Sequence, residues 1–62
     1  MIQVNDIVRY INPMKDEENL VFKVLSFNEV TKRVIIEVQN LPGFLTGIKP
    51  TFLESIENLT NL

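Results

Sequence analysis

A chain of 62 residues has room for one domain, and a domain this small buries only about 60% of the surface its unfolded chain exposes, so one modest core must hold it together. With no cysteine, histidine or tryptophan it lacks a disulfide staple, a thiolate metal site and an imidazole base. Six Lys and Arg stand against eight Asp and Glu, a formal net charge of -2, which gives no general attraction to polyanions.

Taken in chain order, Val4 to Ile11 reads as a first strand: Val8 and Tyr10 alternate with Ile7, Arg9 and Ile11, and β-branched residues dominate. Asn12-Pro13 ends it, because proline lacks the ladder donor and biases its predecessor toward extended or turn geometry. Residues 13–19, PMKDEEN, form a polar loop. Leu20 to Phe27 and Arg33 to Gln39 follow as a hairpin, joined by the polar connection Asn28 to Lys32, a length suited to a loop built around a type I turn. Within it, Val34, Ile36 and Val38 alternate with Arg33, Ile35 and Glu37, the period of a half-buried strand. The in-facing set is therefore Val8, Tyr10, Phe22, Val24, Val34, Ile36 and Val38.

Pro42-Gly43 marks a turn, and Phe44 to Ile48 is expected as a short fourth strand with Gly47 inside it. Thr51 and Glu54 have capping-box spacing, so a short helical turn is expected near residues 51–55, followed from about Ile56 by a fifth strand. The fold class is mainly β: five strands in a single domain over residues 1–62, without repeats or linkers. No apolar run approaches the roughly 20 residues that span a bilayer. The opening MIQVNDIVRY has no basic stretch followed by an apolar one, so a soluble, cytoplasmic protein is expected.

The run Gly47-Ile48-Lys49-Pro50-Thr51-Phe52-Leu53 is similar to the glycine, apolar, proline and aromatic run that closes SH3 domains. With the order of strand, polar loop, hairpin, fourth strand, helical turn and final strand, nearly the whole chain resembles an SH3-like small barrel. Val4-Asn5-Asp6-Ile7-Val8 resembles the opening of such barrels of the KOW and Tudor types. The ALYDY segment and the groove tryptophan of the signalling SH3 family are missing, and Phe52 stands one residue nearer Pro50 than in that family's pattern. The resemblance therefore implies architecture, and proline-peptide binding does not come with it.

Catalysis is not expected. Ser26 and Ser55 have no histidine base to activate them, Lys23 sits among alternating strand residues, and Asp6, Glu37, Glu54 and Glu57 read as solvated charges. Asp16, Glu17 and Glu18 supply hard oxygen ligands but lack calcium-loop spacing, and neither a metal nor a cofactor is expected. Two binding readings remain. In the first, the chain is a protein-interaction or self-associating module, as a homodimer or with another protein. Its contact is the apolar segment Leu41, Phe44, Leu45 and Ile48 beside Asp16, Glu17 and Glu18, because a connection this apolar is unusual at a surface. In the second, Arg9 and Lys23 on paired strands, with Lys32 and Arg33 at the hairpin, form a basic stripe for nucleic acid.

Overall fold

A computed structural model describes residues 2–41 and 47–62. They form five antiparallel strands: β1 Ile7–Tyr10, β2 Phe22–Asn28, β3 Arg33–Val38, β4 Thr51–Ser55 and β5 Leu59–Asn61, in the sheet order β4-β3-β2-β1-β5. The protein is mainly β. The helical elements among the described residues are two 3-10 turns, Lys15–Glu17 and Ile56–Asn58.

The connection between the outermost strands shapes the sheet. β4 and β5 lie at opposite edges, so four flat strand spacings would separate them by about 19 Å. They are joined by Ile56–Asn58 alone, and a 3-10 turn of that length advances only about 6 Å. The sheet must therefore curl until these strand ends approach each other. No ladder joins β4 to β5 among the described residues, so the sheet is curled and open.

Curling gives the sheet a concave inner face, and the alternation fills it. Val8, Phe22, Val24, Val34, Ile36 and Val38 are all buried there, as the two-residue period predicts. Tyr10 is half-buried against them, and Leu59 of β5, which the pattern did not single out, completes the core. Phe22 is central: it pairs with Val8 on β1 and Val38 on β3, and its ring meets Tyr10 at 5.0 Å and Phe52 at 6.4 Å, both edge to face.

A bulge makes this core possible. Val24 pairs with Ile36 and Ser26 with Ile35, which leaves Leu25 as the extra residue. Strict alternation from Phe22 would turn Ser26 inward and Phe27 outward. The extra residue reverses that phase, so Phe27 pairs with Val34 and packs against the core while Ser26 faces solvent.

The hairpin loop closes by local chemistry. The Asn28 side-chain oxygen accepts the amides of Val30 (2.9 Å) and Thr31 (3.1 Å), and the Lys32 amide donates to the Asn28 carbonyl (2.9 Å). Lys32 then takes a φ of 59°, the left-handed step that returns the chain into β3. Upstream, Asn5 at φ 75° interrupts the expected first strand, so β1 begins at Ile7 rather than Val4.

Two expectations for the last third need correction. Thr51–Ser55 is strand β4, and the helical turn lies at Ile56–Asn58. A cap contributes about 1 kcal/mol; five residues in register with β3, with Phe52 against Phe22, outweigh it. Glu54 instead braces the later turn from outside: its carboxylate accepts from the Ser55 amide (3.2 Å) and Asn58 Nδ2 (2.9 Å). Of the fourth strand expected over Phe44–Ile48, Phe44, Leu45 and Thr46 lie outside the described residues, while Gly47 and Ile48 precede β4 without joining a strand.

If Phe22 organises the inner face, Phe22→Ala should cost roughly 3–5 kcal/mol, as much as a core of this size supplies. Denaturant unfolding of the variant should show little or no cooperative transition. A midpoint close to that of the parent would place the ring outside the core.

Candidate functional site

The described surface has one concavity rich in ionisable groups. It is a cleft of about 320 Å3 between the β1–β2 connection and the second 3-10 turn, with Tyr10, Met14, Glu17, Glu54, Glu57 and Asn58 among its lining residues. Tyr10 ends β1 opposite Leu59, and its ring lies against Phe22, which fixes the phenol at the cleft wall.

The acidic loop delivers one carboxylate to this place. The Glu17 amide donates to the Met14 carbonyl (2.8 Å), and the Glu17 carboxylate accepts the Met14 amide (3.0 Å). This pair of bonds holds the Lys15–Glu17 turn closed and draws Glu17 in. Asp16 and Glu18 stay exposed, so the three contiguous acids divide between cleft and solvent. Glu54 arrives from the end of β4, anchored by Ser55 and Asn58, and Glu57 follows on the second turn.

Glu17 and the sequence neighbours Glu54 and Glu57 thus line one cleft with the Tyr10 phenol, and no lysine or arginine lines it among the described residues. The phenol registers the environment. Burial first, then the charges of Glu54 and Glu17, push its pKa up from 10.0 to about 12. Among the described residues the carboxylates do not gather closely enough to hold a metal ion. The arrangement suits a cation larger than a metal, one that brings several donors and an aliphatic stem to lie along Met14 and the exposed Ile11.

The other residues singled out from the sequence lie apart. Leu41 is half-buried against the core, Ile48 is exposed beside it, and Phe44 and Leu45 lie outside the described residues. Of the basic residues, Lys23 stands opposite Ile7 on β1 and Glu37 on β3, and Arg9 stands opposite Thr60. Arg33 lies at the far end of β3 beside Ser55, next to Lys32 in the hairpin loop. These four basic residues are exposed or half-buried, and Glu37 interrupts the line between Lys23 and Arg33. Sequence reasoning missed the grouping of Tyr10 with Glu54 and Glu57, which depends on where the second 3-10 turn falls.

Comparison with protein-family models, with curated proteins and with solved structures found no match to this chain. No helix among the described residues is long and apolar enough to cross a membrane.

The raised Tyr10 pKa has a consequence with a definite sign. The folded state holds the phenol proton more tightly than the unfolded chain, so this contribution to stability is intact below pH 10 and is lost as pH rises toward about 12. Phenolate absorbance should titrate near pH 12. In Glu54→Gln the midpoint should fall only part of the way toward 10, because burial is the larger cause. An unchanged midpoint would remove Glu54 from the neighbourhood of Tyr10.

Proposed function

We propose that this chain is a non-enzymatic protein-interaction module that holds a lysine or arginine side chain of its partner in the Tyr10 cleft. The observation that carries this reading is the gathering of Glu17, Glu54 and Glu57 in one cleft with the Tyr10 phenol, with no basic group among the described lining residues. A guanidinium offers donors to two or more of these carboxylates, and such charge-assisted bonds are worth about 1.5–3 kcal/mol each. The exposed Met14 and Ile11 give the incoming side chain an apolar rim.

Other features favour binding over catalysis. A phenol pushed up to about 12 is a poor base or nucleophile near neutral pH. The nucleic-acid reading has less support, since Glu37 opposite Lys23 breaks the basic stripe and Arg33 stands at the other end of the strand. We further infer an SH3-like small barrel: a curled five-stranded antiparallel sheet with a 3-10 turn before the last strand supports the resemblance, although the Gly47 to Leu53 run leads into β4 and not into that turn.

The test is an NMR titration with a short acetylated and amidated glycine peptide carrying a single arginine, beside the same peptide carrying glutamine. The arginine peptide should shift the signals of Tyr10, Met14 and Asn58 with an affinity that weakens as salt is added. Glu54→Gln should weaken it about tenfold without unfolding the protein, because glutamine retains an oxygen to accept from Ser55 and Asn58. Equal shifts from the two peptides, or arginine-specific shifts confined to the β2–β3 face, would defeat the proposal.

A further inference from the structure

Among the described residues β4 has one open backbone edge, and its pairing with β3 decides which groups point out of it. The Val38 amide donates to the Pro50 carbonyl (3.1 Å) and the Ile56 amide to the Lys32 carbonyl (3.1 Å), and both pairs continue the register of Ile36 with Phe52 and Val34 with Glu54. Antiparallel ladders alternate bonded and non-bonded pairs. The amides and carbonyls of Phe52 and Glu54 therefore face β3, while those of Thr51, Leu53 and Ser55 face outward. The Ser55 amide is satisfied by the Glu54 carboxylate. Thr51 and Leu53 keep theirs directed at the open edge.

Within β4 itself few of the devices that normally blunt an edge act, Lys49-Pro50 standing just before it. Thr51–Ser55 has no lysine, proline or bulge, and its one charge, Glu54, is held toward the cleft by Ser55 and Asn58. At the opposite edge β5 is shorter, and the Leu59 amide already donates to the Ile56 carbonyl. The solvent side of β4 has an apolar centre between Thr51 and Ser55: Leu53 is 62% exposed and lies beside Ile35, itself 40% exposed.

We propose that β4 pairs with β4 of a second copy of this chain, antiparallel about a two-fold axis at Leu53. The outward groups then match: Leu53 exchanges backbone bonds with its counterpart, and Thr51 of each copy donates to the Ser55 carbonyl of the other. On the solvent face an apolar row forms from Ile35 and Leu53 of one copy to Leu53 and Ile35 of the next.

Charge selects this orientation. Thr51 lies beside Glu37 and Ser55 beside Arg33. In antiparallel pairing each polar row runs from Glu37 of one copy to Arg33 of the other. Parallel pairing would set Glu37 toward Glu37 and Arg33 toward Arg33, like charges at both ends. A five-residue edge with one apolar row covers less than the roughly 800 Å2 per partner of a stable interface, so the dimer forms at high protein concentration. This edge and the Tyr10 cleft use different groups of the protein, so the peptide titration and the dimer test can fail separately.

The test combines sedimentation equilibrium with amide hydrogen exchange on the full chain over a wide concentration range. A monomer–dimer equilibrium is expected, with the Thr51 and Leu53 amides slowing as concentration rises while Phe52 and Glu54 are protected at every concentration. Leu53→Lys should raise the dimer Kd at least tenfold with thermal unfolding unchanged. Leu53→Thr, which retains strand propensity and the same amide, should raise it less and covers the case in which lysine disturbs the fold. A monomer at all concentrations would overturn the proposal, and so would a dimer that survives Leu53→Lys while the Thr51 and Leu53 amides exchange freely.

Discussion

The edge-to-face packing of Phe22 between Tyr10 and Phe52 is the contact on which the other features of this protein rest. The ring is fully buried in β2, the strand flanked by both β1 and β3. On one side it fixes Tyr10 at the end of β1, and hence the wall of the acidic cleft. On the other it meets the ring of Phe52, which stays 46% exposed, and Leu53 points to the opposite, solvent face at the open edge of β4. A slip of one residue in β2 would exchange Phe22 for Lys23 in the core and turn over every neighbour at once.

The cleft is assembled by connections more than by strands. Glu17 is placed by a turn that its own carboxylate closes, Glu54 by bonds to Ser55 and Asn58, and Glu57 by the short link that brings the two edges of the sheet together. A protein of this size has too little buried surface to sequester uncompensated charge, so its acids gather at the rim, where water moderates their repulsion. A partner's cation entering the cleft would replace that water.

The hairpin was legible in the sequence because one physical signal dominates it. Val34, Ile36 and Val38 alternate without interruption, and all three are buried. Phe22 and Val24 follow the same rule, and the phase break at Leu25-Ser26-Phe27 carries a trace of the bulge. Beyond Gly47 local and tertiary preferences conflict. Thr51 and Glu54 have the spacing of a helix start, yet their segment has a partner strand available, and pairing prevails. Leu59 falls in the fifth strand expected from about Ile56, but no alternation marked it as a core residue. The cleft was less legible than the fold: Glu17 stood out in an acidic triplet, but nothing local distinguishes it from Asp16 and Glu18, and its meeting with Glu54 and Glu57 depends on the position of one 3-10 turn. The apolar stretch at Leu41 to Ile48 drew attention by composition, while the exposed apolar pair on the sheet, Ile35 and Leu53, is formed by strand register, which composition does not reveal.

The most direct test of this account is a proton NOE spectrum of the aromatic rings in the dilute protein. Phe22 should show cross-peaks to both Tyr10 and Phe52 and to the methyls of Val8 and Val38, its neighbours on the inner face. Cross-peaks from Phe22 to Ile7 or Ile35, which belong to the solvent face, would mean that β2 lies in the opposite phase and would undo both the cleft and the open edge built on it.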